Sequence, residues 1–214
     1  MAEKRYDDPV QSKDRTSGNG LEGLKAMVAR AGDRKRGPAP VEKWDPDFSG
    51  ELDLEIRRDG SWHYQGTPIH RQSLIDLFAT VLRKDADGET YLVTPVEKYR
   101  ILVEDAAFAA VEMNAFERDG KPVLAFRTNT GDVVEAGEAH PLRFEIESDT
   151  SGVKPYLLVR GRLEALLTRP VMYELMAEGR EIEVDEATMF AIESNDTVFP
   201  VMAVDRLEVE GGSG

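Results

Sequence analysis

The chain has 214 residues, with 27 Lys and Arg against 41 Asp and Glu, a net charge of −14 at pH 7. It contains no cysteine, which excludes disulfides, thiolate metal sites and cysteine nucleophiles. Apolar residues make up 41%, enough for a packed core, and no apolar run approaches the ~20 residues of a membrane span.

The acidity disfavours general nucleic-acid binding, because a phosphate backbone meets net repulsion. It is not spread evenly. Residues 1–44 hold ten Lys and Arg and seven Asp and Glu, a charge of +3, and the remainder carries −17. The start, MAEKRYDDPV, has no apolar signal core, so a cytoplasmic protein is expected. Up to Gly20 the chain is polar and reads as disordered. Leu21, Leu24, Met27 and Val28 then fall at helical spacing, ahead of the basic linker Arg34-Lys35-Arg36-Gly37-Pro38-Ala39-Pro40. Residues 1–40 are therefore expected to be a flexible arm with one short helix, and 211–214 a flexible Gly-Ser tail. Between them, α+β domains are expected at 41–106 and 107–210.

The folded part opens with Leu52, Leu54 and Ile56 alternating with charged residues, the period of a half-buried strand. Trp62 and Tyr64 continue the alternation after Asp59-Gly60. A three-residue loop, Arg58-Asp59-Gly60, sets Ile56 opposite Trp62 and Leu54 opposite Tyr64. A two-residue loop would turn Trp62 to the polar face, so the longer loop is predicted, with Gly60 left-handed. Leu74, Leu77, Phe78, Val81 and Leu82 then predict a helix over 71–84, ended by Asp85-Ala86-Asp87-Gly88. Strands follow at 90–96, with Pro95 marking an edge or a bend, and at 98–103.

A second hairpin turns at Asp119-Gly120 and sets Ala115 opposite Leu124 and Met113 opposite Phe126. Asn129-Thr130-Gly131-Asp132 is a turn. Short strands are predicted at 133–136, 142–147 and 156–161, then an apolar turn at Leu163, Leu166 and Leu167. Pro170 opens a second helix that Gly179 stops. Strands at 182–184, 189–193 and 198–204 finish the chain.

The order strand, glycine, apolar turn, arginine, helix occurs twice. One copy runs from Trp62 through Gly66 and Arg71, the other from Tyr156 through Gly161 and Arg169. Each arginine is followed by apolar residues at +3, +6 and +7, as any amphipathic helix allows. Read as a duplication, the echo gives two strand-helix-strand units with mostly antiparallel sheets.

Candidate chemistry is sparse. His63, His70 and His140 show no metal-ligand spacing, and neither a GxSxG elbow nor a phosphate loop is present. No cofactor is indicated. The acidic clusters at Glu104-Asp105 and over 181–186 read as solvated faces. The stretch from Arg127 to Asp132 is a polar glycine turn of the kind that holds an anion. In a −17 body an anion needs a local cluster of cations. Arg71, Lys98, Arg143, Arg160 and Arg169 are the candidates, with Asn129 and His140 as polar partners and Trp62 and Tyr64 as aromatic ones.

Four motifs occur in order: Pro40-Val41-Glu42-Lys43-Trp44, the run from Trp62 to Ile69 (WHYQGTPI), the run from Tyr91 to Lys98 (YLVTPVEK), and Phe126-Arg127-Thr128-Asn129. Together they resemble the bacterial DUF1285 family, over about residues 40–204. The resemblance implies two duplicated α+β units, the second loosely like a pleckstrin-homology fold. It also implies a pocket at their interface suited to a nucleotide-like molecule, and a role in signalling. It brings no catalytic residues. The expected function is thus a small-molecule-binding protein. Two alternatives stand beside it: a hydrolase or transferase using His140 with Glu or Asp, and a protein-interaction module using the arm.

Overall fold

The computed structural model describes residues 37–147, 152–184 and 187–204. The predicted arm helix and the Gly-Ser tail lie outside them. A 3-10 turn at Val41–Lys43 leads into strand β1, Phe48–Ile56. Then come β2 (Trp62–Tyr64), β3 (Thr67–Pro68), helix α1 (Gln72–Ala79), β4 (Leu82–Lys84), β5 (Thr90–Val93) and β6 (Lys98–Val103). These strands form one sheet in the order β3-β2-β1-β6-β5-β4.

The second sheet is built from β7 (Phe108–Arg118), β8 (Lys121–Thr128), β9 (Val133–Glu135), β10 (Leu142–Ile146), β11 (Val153–Arg160) and β12 (Leu163–Leu167). Its order, β10-β11-β12-β7-β8-β9, is that of the first sheet read from the other edge. In both sheets the first and last strands lie side by side in the middle and pair parallel: β1 with β6, and β7 with β12. Helix α2 (Arg169–Ala177) follows, and β13 (Arg180–Val184), β14 (Ala187–Ser194) and β15 (Thr197–Ala203) form a three-stranded antiparallel sheet. The protein is thus mostly β, with two helices and a duplicated pair of six-stranded sheets. Among the described residues no helix is long and apolar enough to cross a membrane.

The hairpin registers follow from side-chain parity. Ile56 faces Trp62 and Leu54 faces Tyr64, with Gly60 at φ +81°, where a side chain would be strained. Ala115 faces Leu124 and Met113 faces Phe126.

Three expectations give way. The first helix ends at Ala79 instead of running to 84, because Leu82, Arg83 and Lys84 pair with Leu92, Tyr91 and Thr90. Thr80 closes it, donating its hydroxyl to Leu77 O at 2.7 Å. The segment Asp85-Ala86-Asp87-Gly88 is therefore a hairpin turn. The apolar turn at 163–167 is strand β12, whose buried residues are Leu163, Ala165 and Leu167 at period two. Finally, the sequence echo and the structural duplication run in different registers. Helix α1 lies between the third and fourth strands of its sheet, whereas α2 follows the sixth strand of the other. Arg71 and Arg169 are therefore not equivalent positions.

The buried residues form one continuous cluster from Leu54, Trp62 and Phe78 through Phe108 and Leu157 to Leu175 and Ile192. The third sheet is tied on through Ser194, fully buried, which receives the Leu124 N–H at 2.9 Å and donates to Ala136 O at 2.8 Å.

Near β5, the Asp87 carboxylate accepts the Tyr91 hydroxyl at 2.7 Å. That hydrogen bond, reinforced by burial and nearby carboxylates, pushes the Tyr91 phenol up to about 12. A raised folded-state pKa gives stability present in full below the unfolded value of 10.0 and lost as pH climbs toward about 12. Denaturant melts between pH 9 and 12 should show this fall, and Tyr91→Phe should make it shallower. An unchanged slope in Tyr91→Phe would exclude Tyr91 as a source.

Candidate functional site

A cleft of about 740 Å³ lies where the two six-stranded sheets meet. The β1–β2 turn contributes Arg58, Asp59 and Gly60. The link between the sheets contributes Ala106, and β11 contributes Lys154 at its start. Helix α2 enters with its first turn and offers Arg169, Met172 and Tyr173.

Local chemistry fixes each wall. Gly60 approaches the second sheet so closely that a Cβ there would sit 3.4 Å from Ala109 and from Asn129. Asn129 holds that contact in place: its N–H donates to Ala109 O at 2.8 Å, and its Oδ1 accepts the Ala109 N–H at 3.0 Å. The Asp59 carboxylate accepts the Ser61 backbone N–H at 2.9 Å. Bonds from the Ser61 side chain and backbone hold that carboxyl below its ordinary range.

Beside the cleft, Asp105 draws together strand β11 and the β1–β2 turn. Tyr156 donates its hydroxyl to Asp105 at 2.8 Å, with Arg58 at 3.7 Å and Lys154 at 3.6 Å. Burial, then the bond to Asp105, raises the Tyr156 phenol well above its usual value. Lys154 also pairs with Glu147 at 3.1 Å, which holds its ammonium charged above the ordinary lysine range.

The cations picked out by scarcity do not converge. Lys98 pairs with Asp85 and lies 4.1 Å above the Tyr91 ring. Burial works to raise the Asp85 carboxyl, but bonds from Arg83 and Lys98 outweigh it and hold the group low. Arg143 grips Glu164 with two nitrogens, at 2.6 and 2.8 Å, and stacks on Tyr156. Arg160 bridges the sheets instead, donating to Asp132 at 2.8 Å and to Ala79 O at 2.6 Å, with Phe108 beneath it. Arg71 is exposed just before α1. Only Arg169 of the five lines the cleft.

The other candidates have structural surroundings. Trp62 is 1% exposed and stacks on Phe78, and among the described residues its indole N–H has no acceptor. Tyr64 is half-buried against the same core. His140 Nδ1 meets Leu158 O at 3.0 Å, and among the described residues no ion pair joins it to a carboxylate. The polar turn after β8 holds an anion of its own. The Thr130 hydroxyl donates to Asp132 at 3.0 Å, and the Asp132 N–H donates to the Thr128 hydroxyl at 3.0 Å. Arg127, at its start, pairs with Glu112. Among the described residues no cluster of three His, Asp or Glu has metal-site geometry.

Arg58, Lys154 and Tyr173 were not singled out by the sequence. A signal for Arg58 was present, since it sits in the loop whose length the hairpin parity fixes. Lys154 and Tyr173 reach the cleft only through pairings distant in sequence.

No curated protein matches this chain. A crystal structure of a DUF1285 family protein from Silicibacter pomeroyi DSS-3 is similar, with 41% identity and a TM-score of 0.78, over 88% of this chain and 98% of that one. A DUF1285 family protein from Shewanella baltica OS155 aligns with 27% identity and a TM-score of 0.47, over 59% of this chain and 91% of that one. The family model described as the DUF1285 N-terminal domain matches residues 39–106, and the one described as the DUF1285 C-terminal domain matches residues 107–201. The chain belongs to the DUF1285 family, whose function is unknown.

Proposed function

We propose that this protein binds a small anionic ligand in the cleft between its two sheets. One observation carries the reading: the cleft brings Arg58, Lys154 and Arg169 together on a chain whose net charge is −14. Set against the carboxylates of Asp59 and Glu147 in the same lining, these cations leave a net positive patch that offers an anion local attraction inside long-range repulsion. The first turn of α2 adds the positive end of a helix dipole on the same side. A volume of about 740 Å³ falls within the ~300–1,000 Å³ of small-molecule sites. The nucleotide-like molecule and the signalling role implied by family resemblance belong to this reading, as does the pleckstrin-homology likeness of the second unit. The two sheets, with 41–106 and 107–210 as their domains, would report occupancy through the junction at Asp105.

A thermal-shift screen over nucleotides, phosphorylated sugars and organic acids tests it. A ligand at 100 times Kd adds about 2.7 kcal/mol. For a chain of this size that is a rise in Tm on the order of 5–10 °C. Arg169→Ala should cut the rise to about half or less, as a tenfold weaker site does. If every anion leaves Tm unchanged, the cleft is not an anion site.

A further inference from the structure

The composition of the cleft narrows the class of anion. Its three cations are not equally available. Lys154 is already paired with Glu147 and Asp105. Arg58 reaches Asp105 only at 3.7 Å, and its side chain is 68% exposed. Arg169 is exposed and, among the described residues, pairs with no carboxylate. Asp59 and Glu147 also line the cleft, so its three cations and two carboxylates leave a net positive charge of one unit. Repulsion from the −14 chain grows with each further negative charge on the ligand. A diphosphate or triphosphate would bring several charges to a site able to neutralise about one.

The uncharged lining points the same way. Apart from the carboxylates of Asp59 and Glu147 and the polar ends of Thr168 and Tyr173, the side chains between the cations are apolar, among them Phe108, Val153, Pro155, Leu166 and Met172. Among the described residues no Asn or Gln lines the cleft. A base edge would lose water there and find few neutral partners, and a nucleotide's phosphates would meet the carboxylates of Asp59 and Glu147. An apolar body fits this wall without that loss, and Tyr173, 66% exposed on α2, gives it a flat aromatic surface.

We propose that the cleft takes an amphipathic monoanion, a single carboxylate on an aromatic or aliphatic body, with the carboxylate against Arg169 and the body along Met172 and Leu166. The proposal rests on the cleft being an anion site. Isothermal titration of the full chain with decanoate and 2-naphthoate tests it, with decanamide, ADP and ATP as comparisons. Both acids should bind, and decanamide should bind about tenfold more weakly or worse, the loss of one charge-assisted contact. Arg169→Ala should weaken the acids by about tenfold or more, and Met172→Asp should abolish them. Arg71→Ala, outside the cleft, should leave them unchanged. Binding of ADP or ATP with no binding of either acid overturns the monoanion and leaves the anion site standing. Binding of none of the probes overturns the monoanion, and the broader anion screen then decides the cleft. Acid binding that ignores both Arg169→Ala and Met172→Asp places the ligand elsewhere and overturns the assignment.

Discussion

Arg160→Ala should lower the free energy of unfolding by about 3 kcal/mol, the low end of the range for a buried pair, because this pair is only partly buried. The guanidinium has three anchors from three elements. It donates to Asp132 in the turn after β8 at 2.8 Å and to Ala79 O at the end of α1 at 2.6 Å, and its charge lies 4.7 Å from the centroid of Phe108 on β7. Removing it leaves Asp132 with its own turn for company and Ala79 O, at the closed end of the helix, without a side-chain donor. Asp132 keeps a path to water, with its side chain 24% exposed, and this holds the loss near the lower bound. Arg160→Lys keeps the charge but cannot reach two acceptors with a fixed fork, so it should recover only part of the stability. Urea unfolding of Arg160→Ala, Asp132→Ala and the double variant gives the coupling directly, expected at about 1–3 kcal/mol. A loss under about 0.5 kcal/mol in Arg160→Ala would reduce this contact to an ordinary surface pair.

The same residue shows where sequence reading stops. Arg160 was singled out because cations are scarce in the folded part, and its place in a strand was legible from alternation. Its partners were not, since Asp132 is 28 positions away and Ala79 is 81. Local pairings fared better because a hairpin has few parities, and only one keeps Trp62 and Phe126 on the inner face. The parallel pairs β1–β6 and β7–β12 leave no such trace, since nothing in the alternation of either strand names a distant neighbour. Helix α1 was overdrawn for a related reason. Val81 and Leu82 continue the helical period by coincidence, while the strand ladder with β5 decides their conformation. At the cleft, scarcity of positive charge led to Arg169 but also to Lys98 and Arg143, which the surplus of carboxylates had already taken. In an acidic chain a lone arginine in sequence is most often a paired one in space.

Phe78→Ala should be more damaging still, at about 3–5 kcal/mol, because it combines lost apolar transfer with a cavity. Phe78 is fully buried and stacks on Trp62 with ring centroids 6.3 Å apart. It is the largest side chain of the buried face of α1, with Leu74, Ile75, Leu77 and Ala79 buried around it. The consequence should extend beyond the first sheet. The buried residues around Phe78 are continuous with those of the second sheet and with Leu175 on α2 and Ile192 on β14. A core shared in this way should melt as one unit, so the variant should lower a single transition instead of releasing the first sheet alone. Circular dichroism and the emission of the two tryptophans should therefore share one midpoint in Phe78→Ala, as in the parent, with that midpoint moved to lower urea. Phe78→Leu, which keeps most of the volume, should retain much of the lost stability. Two resolved transitions in Phe78→Ala would mean that the sheets hold separate cores, and would also detach the Arg160 contact from any role in global stability.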